Sequence, residues 1–257
     1  MPVFTVCLLL LFATISILPT AETSPDANFH LYLLVGQSNM AGRGKPDEES
    51  TKPPPRVLML TKDLQWVPAS DPMHFDKPTA GVGPGVTFGR CLAEANDKIR
   101  IGLIPCAIGG TSINVWKPRA ATAPTHPWED MLARTKAAVS AGVLKGIIWH
   151  QGEADRALPG DYAANFIDLV GRFRKELAAP TVPFVAGELA SFKPETDDIT
   201  KTFNGILQGL KPKIEHFTVI SSEGIKEKGD HLHFDTASAR MMGKRYAEAM
   251  LTLQKNP

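Results

Sequence analysis

The segment HLYLLVGQSNMAG, His30 to Gly42, joins an unbroken apolar run to a turn rich in glycine and polar residues. A short apolar run without alternation is typical of a strand that is covered on both faces. Similar runs recur along the chain, and longer amphipathic stretches separate them. The other predicted strands are 57–60, 101–107, 146–150, 184–189 and 217–221, and the predicted helices are 87–96, 128–141, 161–177, 196–210 and 236–253. This alternation predicts an α/β fold with three layers, α/β/α, around a mainly parallel sheet of about five or six strands.

The composition is that of an ordinary globular protein, with 257 residues, 43% hydrophobic and 21% charged. Lys and Arg number 28 against 27 Asp and Glu, so the formal net charge is +1 at pH 7. This balance speaks against a disordered chain and against a nucleic-acid partner, which would require a basic excess. Three cysteines cannot make a disulfide scaffold. Cys91 and Cys106 are expected to be free thiols, with a bridge between them as the alternative.

Residues 3–18 are apolar except for two threonines and a serine. This stretch is shorter than the ~20 residues of a membrane-spanning helix, so it predicts a secretory signal peptide over residues 1–21. No Lys or Arg precedes it, which leaves an uncleaved anchor or a core helix as alternatives. Residues 26–257 are then expected to form a single domain in a secreted or periplasmic location, without stable membrane association after cleavage. The sequence does not predict an oligomeric state.

Ser38 follows the first predicted strand directly, between Gly36 and Gly42. A serine at the carboxyl end of a strand suits a nucleophile, because it lies at the edge of the sheet and its N–H is free to face an oxyanion. The alternative is a helix N-cap, a position that serine fills well. The block is not the Gly-x-Ser-x-Gly turn of the α/β-hydrolases, because Met40 stands where the second glycine belongs.

A second candidate block, DHLHFD, precedes the last predicted helix. Asp230 lies three residues before His233, so its carboxylate can hold the imidazole Nδ1 and leave Nε2 free for a serine. One alternative is that Asp235 or Thr236 simply caps the helix. Another is a metal site built on the two histidines of the block, with His150 or Glu153 as a further ligand.

Two more turns follow predicted strands. Gly110 lies in AIGGTS, where paired glycines allow a backbone N–H to approach a ligand closely. Gln151 lies in WHQGEAD, where its amide can donate into the ligand crevice that open α/β sheets have at the carboxyl ends of their strands. The alternatives are a tight turn and ordinary turn or cap residues. Together the blocks supply a nucleophile, a base, a group that orients the base, and oxyanion donors, which is the set that acyl transfer to water requires.

Five blocks, in the same order, resemble the SGNH/GDSL-type hydrolases. The likeness is greatest to the branch of sialate O-acetylesterases and acetylxylan esterases of carbohydrate esterase family 6. The blocks are GQSNMAGRG at 36–44, VGPG at 82–85, GGTSI at 109–113, WHQGEAD at 149–155 and DHLHFD at 230–235. They span nearly all of residues 26–257. The resemblance implies one flavodoxin-like α/β/α domain that removes O-acetyl groups from carbohydrate, without a cofactor or a metal.

The same resemblance implies a role for each matching residue. Ser38 would be the nucleophile, His233 the general base and acid, and Asp230 the group that orients the histidine. The oxyanion would be bound by the N–H groups of Ser38 and Gly110 and by the side chain of Gln151. The wider superfamily has Asn where this branch has Gln151, a longer side chain with the same donor.

Four further residues are candidates for support of the site or for substrate binding: Asn39, Arg43, Trp116 and Glu153. Arg43 is able to pair with the carboxylate of a sialic acid or with a carboxylate of the protein. Glu153 is expected to orient Gln151 or to support its loop. The balanced charge favours acetylated xylan-type polysaccharide over O-acetylated sialic acid as the expected substrate. The alternatives are a general or lipase-like carboxylesterase, a metal-dependent hydrolase, and a carbohydrate-binding protein without catalysis.

Overall fold

A computed structural model describes residues 24–122 and 124–255, so the predicted signal peptide lies outside the described residues. The strands of this part are β1 Asp26–Gly36, β2 Val57–Leu60, β3 Trp66–Pro68, β4 Arg100–Pro105, β5 Gly142–His150, β6 Phe184–Gly187 and β7 Phe217–Ile220. They form one sheet in the order β3-β2-β4-β1-β5-β6-β7. Every neighbouring pair is parallel except β2 with β3, so the predicted mainly parallel sheet is confirmed.

The helices cover both faces of this sheet and complete the predicted three layers. They are α1 Ser38–Ala41, α2 Gly85–Ala95, α3 Pro127–Ala138, α4 Tyr162–Glu176, α5 Asp197–Gln208 and α6 Thr236–Lys255, with short 3-10 turns at Glu49–Thr51, Ile113–Trp116, Pro194–Thr196 and Lys211–Lys213. Side chains of α3, α4 and α5 form one apolar cluster with the sheet, and those of α2 and α6 form another. None of the helices among the described residues has the length and apolarity to cross a membrane.

The unbroken apolar run of β1 reflects its central position. Leu31 and Leu33 point into the cluster on the α3–α5 face, whereas Tyr32 and Leu34 point into the cluster on the α2–α6 face. All of these side chains are almost completely buried. Because a strand alternates its side chains between two covered faces, every position from Leu31 to Val35 is apolar.

The number of strands is the point at which the prediction of five or six was wrong. The additional strand is β3, three residues that run antiparallel to β2 at the edge of the sheet and end at Pro68. Such a short edge strand is too brief to show alternation, and proline at its end fits a position that donates no ladder hydrogen bond. The sequence pattern therefore predicts no strand at 66–68.

Cys91 and Cys106 are both free thiols in the structure. Cys91 packs against the cluster on the α2–α6 face and Cys106 against the cluster on the opposite face. The sheet separates them, which is why no bridge joins them.

The three central strands end at one edge of the sheet and bring their loops together. β1 lies between β4 and β5, and its terminal residue Gly36 accepts a hydrogen bond from the Ile108 N–H at 2.9 Å. The next N–H, of Gln37, donates to the His150 carbonyl at 2.8 Å. Gly36 has φ +128°, and a Cβ there would lie 2.1 Å from the His150 oxygen, so only glycine fits this junction. The loops after β1, β4 and β5 are thereby tied side by side.

Candidate active site

Ser38, His233 and Asp230 form a continuous chain of hydrogen bonds. The Nε2 of His233 lies 3.0 Å from the Ser38 Oγ, and its Nδ1 lies 2.7 Å from the Asp230 Oδ2. Because a carboxylate only accepts hydrogen bonds, Nδ1–H donates to Asp230 and Nε2 is left to accept the serine proton. This tautomer is the one that a general base for Ser38 requires.

The loop that carries His233 is held by Asp230 itself. Its Oδ1 accepts the N–H groups of Leu232 at 3.1 Å and of His233 at 2.9 Å, and Lys228 Nζ lies 3.1 Å from its Oδ2. Partial burial by itself raises the pKa of Asp230, but the hydrogen bonds from His233, Lys228 and Leu232 outweigh it and hold that pKa well below its usual range. The carboxylate is therefore ionised at neutral pH.

Ser38 is the first residue of α1, and Gln37 occupies the N-cap without a side-chain bond. The alternative of Ser38 as an N-cap is therefore wrong, whereas Asp235 does cap α6, because its Oδ1 accepts the Ser238 N–H at 2.7 Å. An N–H in the first turn of a helix has no acceptor within that helix. Ser38 is 5% exposed, so it is almost completely buried in the structure.

The turn after β4 brings Gly109 and Gly110 beside Ser38. A Cβ on Gly109 would lie 3.4 Å from the Ser38 Cβ, whereas a Cβ on Gly110 would find only Lys77 Nζ, at 3.9 Å. Gly110 is exposed and has φ +82°. Within the described residues, the N–H groups of Ser38 and Gly110 donate to no protein acceptor. Two free donors thus flank the serine hydroxyl.

Gln151 is placed differently from the sequence-based expectation. Its side chain is fully buried, and its Nε2 lies 2.5 Å from Asp155 Oδ2 and 3.0 Å from the Thr111 carbonyl oxygen. Its Oε1 accepts the Tyr162 hydroxyl at 3.0 Å. Both amide hydrogens are thus used inside the fold, where they join the loops after β4 and β5. To donate to an oxyanion, the amide would have to leave one of these acceptors.

Asn39 joins the serine loop to the histidine loop. Its Nδ2 donates to the Leu232 carbonyl at 3.2 Å, and its Oδ1 accepts the Phe234 N–H at 3.0 Å, so it bonds the backbone on both sides of His233. The same Nδ2 donates to Glu153 Oε1 at 2.6 Å. Asn39 is 3% exposed, which places it beneath the crevice and out of reach of a substrate.

Glu153 is a buried carboxylate, with 6% of its side chain exposed. Burial by itself raises its pKa, but interaction with His150 and the hydrogen bond from Asn39 outweigh burial and lower the pKa. Among the described residues no hydrogen bond joins the Glu153 carboxylate to Gln151. The carboxylate accepts from Asn39 and lies 3.6 Å from His150 Nε2. These contacts support the loop after β5, which carries Glu153.

The Arg43 side chain pairs with a carboxylate of the protein and is not free to meet a substrate. Its guanidinium pairs with Asp76 at 2.5 Å, and the two side chains are 5% and 1% exposed. Asp76 Oδ2 also accepts the Gly109 N–H at 2.8 Å. Asp76 was not among the candidate residues of the sequence. Its only signal is that it lies in a long stretch without a predicted strand or helix, between the strand at 57–60 and the helix at 87–96.

Trp116 is fully buried and packs edge-on against Trp149 with ring centroids 5.4 Å apart. Its Nε1 lies 3.4 Å from the Thr111 hydroxyl. Stacking on a sugar ring does not fit this burial, so support of the Gly110 turn is the role that its position permits.

His231, a candidate metal ligand, points to Glu227, and the described residues contain no group of three or more His, Cys, Asp or Glu side chains placed to hold a metal ion.

A sequence model of the family described as "Carbohydrate esterase, sialic acid-specific acetylesterase" matches residues 28–252. A probable carbohydrate esterase of Arabidopsis thaliana is 31% identical over 252 residues, which cover 89% of this chain and 93% of that protein. A solved structure of an Arabidopsis thaliana protein has a TM-score of 0.76 at 29% identity, over 88% of this chain and 99% of that one. A carbohydrate acetylesterase from Xanthomonas citri shares the fold, with a TM-score of 0.67 at 20% identity over 88% of this chain and 57% of that one.

Proposed function

The chain belongs to the carbohydrate esterase family described as sialic acid-specific acetylesterase, and we propose that it is a serine esterase that removes O-acetyl groups from carbohydrate. The observation that carries this proposal is the chain of hydrogen bonds from Ser38 through His233 to Asp230. The free N–H groups of Ser38 and Gly110 beside it supply donors for an oxyanion.

In the proposed reaction the Ser38 Oγ attacks the carbonyl carbon of the acetyl ester while its proton passes to His233 Nε2. The charge that develops on the carbonyl oxygen is stabilised by the N–H groups of Ser38 and Gly110. When the ester C–O bond breaks, His233 returns the proton to the sugar oxygen and acetyl-serine remains. Water then attacks the acetyl carbon and gives a proton to His233, which passes it to the Ser38 Oγ as the acyl C–O bond breaks. Acetic acid leaves and ionises to acetate, and the Ser38 hydroxyl and the neutral imidazole are restored. Asp230 remains ionised throughout and stabilises the imidazolium.

Gln151 is the third oxyanion donor that the family resemblance implies. In the structure its amide bonds to Asp155 and to the Thr111 carbonyl, so two backbone donors are the simpler proposal. Gln151 then acts by fixing the Gly110 turn, and the kcat and Tm of Gln151→Ala distinguish the two roles.

The proposed substrate is a neutral acetylated polysaccharide of the xylan type, with O-acetylated sialic acid as the alternative. The balanced charge of the chain gives no field that would attract an acidic sugar. Arg43, the cation nearest in sequence to Ser38, is already neutralised by Asp76. A general carboxylesterase is the second candidate, and a series of esters of increasing acyl length distinguishes it, since an acetylesterase loses activity beyond the acetyl group.

The apolar residues 3–18 support the further proposal that the enzyme is exported.

The test of the function is acetate release from an aryl acetate by the purified protein. Ser38→Ala should abolish both this activity and covalent labelling by a serine-reactive probe, whereas Ser140→Ala, a change of an exposed serine in the turn after α3, should leave both unchanged. A metal chelator should have no effect. Activity that survives in Ser38→Ala would contradict the assignment, and loss of activity with the chelator would favour the metal-dependent alternative.

A further inference from the structure

A cavity of about 510 Å³ opens between α3 and the carboxyl end of β4. We call it the Phe75 pocket. It is lined among others by Lys62, Leu64, Phe75, Ile108, Asp130 and Arg134. Its volume falls within the usual range for a small-molecule site, roughly 300–1,000 Å³. None of the three residues in the Ser38–His233–Asp230 chain lines it, so it is a separate feature of the same edge of the sheet.

The pocket shares a wall with the proposed oxyanion site. Ile108 lines the pocket and lies two residues before Gly110, a span of at most about 7 Å along an extended chain. Asp76, the residue after Phe75, bonds the Gly109 N–H. A molecule whose ester lies on Ser38 therefore has a neighbouring part within reach of the pocket.

The rim of the pocket exposes apolar side chains in a fixed arrangement. Phe75 is 44% exposed and Leu64 is 43% exposed, although most large apolar side chains of the described part are buried. The Arg134 guanidinium lies over the Phe75 ring, 4.7 Å from its centroid. Arg134 also donates to the carbonyls of Leu60 and Thr61, at the start of the turn that carries Leu64. One cation thus holds both sides of the rim, so the pocket is largely preformed.

The charges around the pocket suit a neutral ligand. Asp76 is already paired with Arg43, and Arg134 is bound to the Leu60 and Thr61 carbonyls. The remaining charged residues of the lining, Lys62 and Asp130, have opposite signs. Burial lowers the pKa of His74, at the inner end of the pocket, to about 4, so that its imidazole is uncharged near pH 7. A ligand that combines apolar faces with hydroxyl groups matches an aromatic rim lined with polar groups.

We propose that the Phe75 pocket is a subsite for a neutral sugar residue that neighbours the acetylated one. This inference rests on the proposed function and deepens it, because it makes an oligosaccharide or polysaccharide, and not a monosaccharide, the preferred substrate. The Phe75 ring would contact the apolar face of that sugar. The polar groups of Lys62 and Asp130 at the pocket are donors and acceptors for its hydroxyls.

Binding tests the subsite without catalysis. Titration calorimetry measures the affinity of unacetylated xylotriose for Ser38→Ala protein, which is expected to bind it. Adding Phe75→Ala should weaken binding about tenfold, equivalent to ~1.4 kcal/mol. Ile167→Ala is the matched control, because Ile167 is 39% exposed on α4 and does not line the pocket. Absence of binding, or equal binding with and without Phe75→Ala, would overturn the subsite.

Kinetics provide the second arm. Phe75→Ala should raise KM for acetylated xylotriose about tenfold and leave hydrolysis of an aryl acetate and of acetylated xylose unchanged. Leu64→Asn, the second variant at the rim, should give the same pattern as Phe75→Ala. Asparagine is chosen because Leu64 has φ +60°, a backbone conformation that asparagine tolerates. Equal losses on all three substrates would overturn the subsite. Failure of the proposed function appears differently, as an absence of aryl acetate hydrolysis in the wild type, and the calorimetric result still decides the pocket.

Discussion

Replacement of Asn39 by alanine should lower kcat for an aryl acetate about 100-fold with little change in KM. Asn39 bonds the backbone on each side of His233 through the Leu232 carbonyl and the Phe234 N–H. Without these bonds the imidazole is no longer held 3.0 Å from the Ser38 Oγ. KM should change little, because Asn39 lies beneath the crevice and does not meet the substrate.

The magnitude follows from the bonds that alanine removes. The hydrogen bond to the Glu153 carboxylate is of the charge-assisted kind, about 1.5–3 kcal/mol, and the two bonds to backbone are about 1 kcal/mol each. Glu153 also becomes a buried carboxylate that has lost its hydrogen bond from Asn39, with His150 Nε2 at 3.6 Å. A total of about 3.5–5 kcal/mol is divided between catalysis and folding. We expect about 2.7 kcal/mol in the barrier, which is the 100-fold loss, and the remainder in the free energy of unfolding.

Steady-state rates and urea unfolding measure the two shares separately. Asn39→Asp places two carboxylates together and should also be slow, whereas Asn39→Asp combined with Glu153→Gln reverses the direction of the same hydrogen bond. The double variant also keeps the acceptor for the Phe234 N–H, so it should recover about tenfold in kcat relative to Asn39→Asp. A kcat for Asn39→Ala close to that of the wild type, or a double variant no faster than Asn39→Asp, would refute this positioning role.

Two further predictions concern buried polar groups. Burial raises the pKa of Asp71 to about 7, so its contribution to stability is present below the unfolded pKa near 4 and is lost as the pH rises through 7. Between pH 5 and pH 8 the free energy of unfolding of the wild type should fall by about 2–3 kcal/mol more than that of Asp71→Asn, as measured by urea unfolding at both pH values. Identical pH dependence in the two proteins would contradict the raised pKa of Asp71. Gln151→Ala should lower kcat less than about tenfold and lower the Tm, because the amide joins Asp155 to Thr111; a loss of 10²–10³ with unchanged Tm would instead identify Gln151 as an oxyanion donor.

The layers and most element boundaries could be predicted from the sequence because they follow from local periodicity. The helix predicted at 161–177 is α4, Tyr162–Glu176, and the strand predicted at 57–60 is β2, Val57–Leu60. β3 was missed because three residues next to a proline carry no periodic signal. Its position is set by pairing with β2, which is a contact between strands and not a property of the segment.

The candidate site divides in a similar way. The Asp230–His233 bond spans three residues of one loop, so the spacing made it one of three expectations, beside a helix cap and a metal site. The positions of Arg43 and Trp116 were not predictable, since an arginine or tryptophan near a crevice is equally consistent with a substrate contact or with packing. The structure assigns Arg43 to Asp76, 33 residues away, and Trp116 to the core.

The sequence by itself determined the α/β alternation, the turns that follow the strands, and the residue types that acyl transfer requires. Each of these depends on neighbours within a few positions, where backbone geometry fixes the spacing. Only the tertiary structure decided that His233 reaches Ser38 across 195 positions, that Asn39 bonds the backbone on both sides of His233, and that Gln151 turns inward to Asp155. These contacts depend on the placement of β1 between β4 and β5, because strand order brings distant loops to one edge of the sheet.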